Sequence, residues 1–426
     1  MFDFANSSYT TVIITVVFSV IFPRIIVGDA PDYRYGNLLW SLTLSMSYLI
    51  VLLTAPVLGA ISDYSASKKK FLAASAIITA IFTSALYIIE PGMIPLCMFF
   101  IIISNIGFSY SEAFVSSFLP SLGTPDELGR ISGYAWGLGY FGGLASTAIV
   151  IFGLGQLTLE NYASLKLTGP VTGIFFLLAS IPTFLWLREP KAGRRPMSAG
   201  GMIGAGFTRL RQTLREAGNF RDLIILLASF FFAYAGLSIV ISFAFIYGDQ
   251  IIRWDAGTQV LMFILTQLTA AAGALFFGII QDRIGARFTY TMTLILWVMA
   301  VTLIFGVTDL TALINSLTGA SLQVQNVFLF TGCLAGLGLG ATQSACRAMI
   351  GIFSPESKSG EFFGLWSMTA RLSSIMGLLG LGFLQTVFGL RKALLLCSIF
   401  FLIAIIITLF IDEKRGRAAA EGHEGA

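Results

Sequence analysis

The stretch Gly278-Ile279-Ile280-Gln281-Asp282-Arg283-Ile284-Gly285-Ala286-Arg287 closes one long apolar run and opens the next. A glycine one helical turn before an aspartate lets a neighbouring helix approach closely. The aspartate can then accept from that neighbour's N-terminal amides or from a nearby arginine. Arg283 and Arg287 hold the loop on the cytoplasmic side. A second copy, Gly59-Ala60-Ile61-Ser62-Asp63-Tyr64, lies 219 residues earlier. It keeps the glycine, the aspartate and a basic end, Lys68-Lys69-Lys70, but has Tyr64 in place of Arg283 and no counterpart of Gly285. Its turn geometry is therefore open.

The solvent around these motifs follows from composition. Of 426 residues, 56% are hydrophobic and only 11% are Asp, Glu, Lys or Arg, against about 25% charged in a soluble domain. Mean hydropathy is +0.85. One core could not hide that much apolar surface, so the solvent is lipid. A net charge of +4 argues against nucleic acid as partner. The single histidine, His423, lies in a polar stretch, which leaves little for histidine-based catalysis or a zinc site. Cys97, Cys333, Cys346 and Cys397 lie inside apolar runs and read as packing residues. No GxxxxGK[ST] loop is present, so ATP is not the expected energy source. No cofactor, metal or catalytic residue is expected.

Twelve stretches are long enough to cross a bilayer: 8–26, 40–61, 71–89, 94–119, 131–155, 167–187, 223–248, 256–281, 288–307, 327–350, 362–390 and 393–411. The fold class is an all-α membrane protein. Four spans carry one charge each: Arg24, Glu112, Arg347 and Arg371. With the N-terminus inside, eighteen of the 26 Lys and Arg fall in inner loops and six outside, which places both termini in the cytoplasm. The expected location is a bacterial inner membrane, with no cleavable signal.

The chain divides into a six-helix bundle at 1–190, a central cytoplasmic loop at 191–222, a second bundle at 223–411 and a cytoplasmic tail at 412–426. In the central loop, Ile203, Phe207, Leu210, Leu214 and Ala217 recur at spacings of three and four. An amphipathic surface helix and a basic linker are both open there. Asp3 and Asp222 share the 219-residue offset of the aspartate motifs. Gly107, Gly129 and Gly133 match Gly338, Gly360 and Gly364 at an offset of 231. The longer loop 308–326 absorbs the difference. Parallel six-helix repeats of this kind are a transporter architecture.

At this point the loop motif resembles that of the major facilitator superfamily. A narrower resemblance, to its vacuole-effluxer-like branch, rests on Asp3-Phe4-Ala5-Asn6-Ser7-Ser8-Tyr9, Phe118-Leu119-Pro120, the run from Gly129 to Gly143, and Glu361-Phe362-Phe363-Gly364-Leu365. The chain begins within a segment that members of the branch precede with further residues, so a truncated start is expected. The resemblance implies two pseudo-symmetric bundles, a central cavity lined by spans 1, 4, 7 and 10, and amino-acid export by eukaryotic members.

Glu112 is the acidic residue deepest in a span, a candidate for proton coupling; a fixed ion pair with Arg347 or Arg371 is the competing reading. Arg371, mid-span, could bind a substrate carboxylate or phosphate. Asn6, Tyr9, Gln343, Tyr234 and Gln267 are polar candidates for the cavity. Gly59, Asp63, Gly278, Asp282, Arg283, Gly285 and Arg287 form the expected cytoplasmic gate motif. Glycines spaced by four in spans 5 and 10 point to close helix packing. Trp136 and Tyr134 suggest interfacial anchors.

The expected function is a secondary transporter, active as a monomer, that moves a small polar solute by alternating access. An amino acid is the candidate substrate, efflux the candidate direction, and protons or another ion the candidate driving partner. A non-transporting receptor or scaffold on the same fold, and an exporter of another metabolite or drug, are the alternatives. An enzyme is not expected.

Overall fold

The computed structural model describes residues 1–28, 33–155, 160–189 and 217–424, with the isolated positions Thr208, Arg211 and Arg215. The expected amphipathic helix of the central loop lies outside the described residues. Among the described residues, twelve helices are long and apolar enough to cross a membrane. They are α1 (Phe2–Val27), α2 (Tyr35–Tyr64), α3 (Lys68–Ile88), α4 (Ile94–Ser121), α5 (Pro125–Leu154) and α6 (Tyr162–Trp186). The second six are α7 (Gly218–Ile252), α8 (Gly257–Ile284), α9 (Ala286–Phe305), α10 (Val324–Phe353), α11 (Glu356–Gln385) and α12 (Leu390–Thr408). A further helix, α13 (Glu413–Glu424), follows.

Several elements differ from the sequence reading, among them the tail at 412–426, which is helical over Glu413–Glu424. The first span begins at Phe2 rather than residue 8, so Asp3 and Asn6 are helical. Within α1, Tyr9–Val16 and Phe22–Val27 widen into π-helical turns, a local geometry often found at functional sites. The loop 308–326 is largely a helix, Val307–Thr318, closed by Gly319 at a φ of 69°.

Contacts cluster into two compact units. One comprises Met1–Ser121, Leu138–Thr213 and Glu356–Met368; the other comprises Leu122–Gly137, Leu214–Pro355 and Thr369–Ala426. Each unit repeats one packing scheme. In the first, α4 packs on α2 and α3, while α6 packs on α3 and α1. In the second, α10 packs on α8 and α9, while α12 packs on α9 and α7. The pairings correspond helix for helix at an interval of six, the spatial form of the sequence repeat.

The α8–α10 contact is the closest. A Cβ at Gly340 would lie 1.8 Å from the Ala270 carbonyl oxygen, and Gly332 and Gly336 face the same helix. Small residues here let two backbones meet where apolar burial against lipid supplies little drive. The glycines of α5 divide their role: Gly133 and Gly137 face α8, whereas Gly139 and Gly142 face α1. Large apolar side chains such as Phe152 on α5, Leu185 on α6, and Leu379 and Phe383 on α11 are exposed. For this chain that outer surface is the lipid-facing one.

Candidate functional site

Two motif aspartates do the same work in the two units. Asp63, at the end of α2, accepts from the backbone N–H of Gly360 at 3.0 Å and of Glu361 at 2.8 Å. Asp282, near the end of α8, accepts from Gly129 at 2.8 Å and Arg130 at 3.0 Å. Each carboxylate thus caps the first turn of a regular helix from the other half of the sequence, the one that begins at Ser359 within α11 or at Leu128 within α5. The first amides of a helix have no internal partner and carry the positive end of its dipole. A cap of this kind contributes about 1 kcal/mol, more when charged.

Glycine makes the approach possible. A Cβ at Gly59 would sit 2.1 Å from the Gly360 carbonyl oxygen, and one at Gly278 would sit 2.7 Å from that of Gly129. One turn further, Gly364 faces Ala55 and Gly133 faces Ala274. These positions correspond under the two repeat offsets. The matched glycines of the sequence are therefore the surfaces that the motif aspartates meet.

A positive φ recurs after each aspartate, although the two turns differ in length. Gly285 adopts φ +96°, which reverses the chain between α8 and α9. The equivalent residue in the first copy is Ala66, held at φ +46°. The missing glycine is thus replaced by an alanine in the left-handed region, at a strain of about 1–2 kcal/mol.

Lys68 was only one of three consecutive lysines in the sequence. Its ammonium lies 3.0 Å from Asp63 Oδ1 and donates to Ser359 Oγ at 2.6 Å and to the Glu356 carbonyl at 3.1 Å. All three ammonium hydrogens are used. The side chains are 0% (Asp63) and 5% (Lys68) exposed. At the second cap the cation is Arg130, whose Nε is 4.0 Å from Asp282 and whose side chain is 48% exposed. Arg287 instead donates to the Leu409 carbonyl at 2.8 Å. Arg283 is exposed.

The remaining candidates are dispersed. Glu112 is half-buried, four residues before the end of the regular helix Ile94–Ser116, so it lies towards one end of α4. Arg371 is buried in the middle of α11. Asn6 accepts from Ser111 Oγ at 2.9 Å. The Tyr9 hydroxyl lies 2.9 Å from Ser104 Oγ, and its ring stacks on Phe108 at 5.1 Å. Both residues thus bind α1 to α4, with Tyr9 fully buried. Gln343, Tyr234 and Gln267 are half-buried on α10, α7 and α8.

The sequence left Arg347 outside the site set. Its guanidinium, buried, donates from Nε to Ser132 Oγ and from a terminal nitrogen to the Ser132 carbonyl, both at 3.1 Å. It also stands 5.1 Å over the Trp136 ring. Trp136 is accordingly a half-buried cation–π partner, while Tyr134 is exposed. The charge in span 10 marked Arg347 as unusual, but nothing local to it named partners on α5.

Residues 39–421 match the profile of the family described as vacuole effluxer Atg22 like. The chain belongs to that family. Within the major facilitator superfamily, it is 24% identical to the uncharacterized MFS-type transporter YxiO of Bacillus subtilis (strain 168), over 97% of this chain and 94% of that protein. It is also 24% identical to autophagy-related protein 22-1 of Emericella nidulans, over 71% of this chain and 53% of that protein. The chain thus spans about half the length of this fungal relative. Its fold is similar to the solved structure of the proton:xylose symporter XylE bound to 6-bromo-6-deoxy-D-glucose. The TM-score is 0.74 at 14% identity, covering 99% of this chain and 96% of that one. The family is one of multi-pass membrane transporters rather than enzymes.

Proposed function

We propose that this family member is a secondary transporter that moves a small polar solute by alternating access, driven by a proton or other ion gradient. The observation that carries this reading is the reciprocal pair of aspartate caps. Each joins helices from opposite halves of the sequence. Asp63, Asp282 and their glycines Gly59 and Gly278 then close the cytoplasmic side and release it when the caps part. Arg283, Gly285 and Arg287 complete the second motif loop. Eighteen of 26 basic residues on the motif side support a cytoplasmic placement.

Glu112 is the proposed coupling carboxylate and Arg371 the proposed anchor for a substrate anion. Asn6, Tyr9, Gln343, Tyr234 and Gln267 are the accompanying polar candidates. The proton coupling named for XylE supports a proton as driving ion, and the effluxer description of the family supports export. An amino acid is the substrate class implied by the family resemblance. The functional unit is proposed as a monomer in a bacterial plasma membrane, with the two bundles at 1–190 and 223–411.

Reconstitution into liposomes tests this. Amino acids, peptides, sugars and organic anions would each be offered with and without a pH gradient. Gradient-driven movement of one class, lost in Glu112→Gln with the protein still folded, is expected. Unchanged transport by that variant at every pH removes Glu112 from coupling, and no flux of any class would favour a receptor or scaffold.

A further inference from the structure

Helix α13 is charged along its length, yet it is fastened at four places. Arg415 makes a paired contact with Asp222 at the start of α7, at 2.7 and 2.8 Å, while the Asp412 N–H donates to the same carboxylate at 2.7 Å. Its hydrogen bonds to the Asp222 carboxylate hold the Arg415 guanidinium above its ordinary pKa. Glu413 accepts from the Arg287 backbone N–H at 3.1 Å, at the start of α9. Gly416 lies against the Phe353 ring at the end of α10. The fourth contact differs in kind. Arg417 reaches Asp126 at 2.5 Å, at the start of α5, while its other nitrogen is steadied by Glu413 at 2.8 Å.

Three fastenings therefore tie α13 to helices of the second half, and one reaches a helix of the first half. Asp126 stands three residues before Gly129, the residue that Asp282 caps. An opening that withdraws Gly129 from Asp282 must also withdraw Asp126 from Arg417.

We propose that α13 is a clasp on the motif end: anchored through Arg415, Glu413 and Gly416, it holds the first half through Arg417 and lets go of Asp126 whenever the Asp282 cap parts. The inference rests on the proposed gating role of Asp282. Asp126 is 73% exposed, so the contact is weak enough to break in each cycle, worth less than about 1 kcal/mol. Its strength falls with salt, because the screening length is about 3 Å at 1 M.

The chain carries its own reporter, since trypsin can cut after Lys414 and Arg415 only when α13 unfastens. In lipid nanodiscs, Asp126→Asn should speed release of the α13 peptide about two- to fivefold at low salt. That gain should vanish at 1 M salt, where the unaltered chain is cut as fast as the variant. Asp282→Asn, which does not touch α13, should speed the same cut. Cleavage unaffected by Asp126→Asn overturns the clasp, and so does acceleration by Asp126→Asn alone, which describes a staple unconnected to opening. Amide exchange at Gly129 and Arg130 in Asp282→Asn separates the two ideas. If it too is unchanged, the gate reading is what fails.

Discussion

Asp63 and Asp282 make the same pair of amide hydrogen bonds, but their countercharges come from different places. Asp63 caps a helix whose second capped residue is Glu361 rather than a cation. The charge is supplied by Lys68 from the motif's own loop, and the pair is buried. Asp282 caps a helix whose corresponding residue is Arg130, which brings a cation with it and leaves the pair open to water. Arg287, the repeat counterpart of Lys68, is thereby released and its side chain and amide hold the end of α12 and the start of α13. One repeat position balances charge in the first half and fastens a helix in the second. The comparison teaches that the repeat conserves a backbone interaction and lets the electrostatics vary around it.

The asymmetry orders the expected effects. Lys68→Met should be the most damaging, because it leaves Asp63 buried with two amides and no countercharge. Breaking a buried pair costs about 3–5 kcal/mol. Thermal unfolding in detergent should show a large drop, and the double variant Lys68→Met/Asp63→Asn should recover much of it. A double variant as unstable as the single one would show that Lys68 acts otherwise than by neutralising Asp63.

Asp63→Asn should rank next, at about 1–2 kcal/mol in the capped arrangement, since asparagine can still cap but strands the lysine. Asp282→Asn should fall near 1 kcal/mol, because Arg130 keeps its ion pair with Glu127. Exchange rates of the capped amides measure both; equal responses would erase the distinction drawn here. Arg130→Ala should speed exchange at Gly129 by less than about fivefold, and 1 M salt should abolish the difference. A large, salt-resistant effect would mean that the second cap is as electrostatic as the first.

The smallest change concerns the turns. Ala66→Gly relieves left-handed strain but adds unfolded-state entropy, so a gain of a few tenths of a kcal/mol to about 1 kcal/mol is expected. A lower melting temperature would mean that the alanine methyl packs usefully.

The twelve spans were legible because every crossing must satisfy the same apolar length requirement, which hydropathy records directly. The caps were half legible. The aspartate motifs and the repeated glycines Gly129 and Gly360 stood out, but their mutual contact crosses between halves, and no local spacing encodes it. Lys68 was hidden among Lys69 and Lys70, since only the packed turn selects the one that faces inward. Ala66 was hidden because composition does not report φ. Arg347 was visible as a buried charge while its partners Ser132 and Trp136 were not, as they lie on a helix more than 200 residues away. The helix Val307–Thr318 was read as a loop because it is too short to span.

The central proposal is that the two caps close one gate. The direct measurement is amide exchange at Gly360 and Glu361 in the Asp282→Asn variant, held in a lipid nanodisc. That substitution touches neither residue. The account predicts that exchange there rises along with exchange at Gly129 and Arg130, roughly fivefold or more for about 1 kcal/mol of lost closure. Acceleration confined to Gly129 and Arg130, with Gly360 and Glu361 at their original rates, would contradict it.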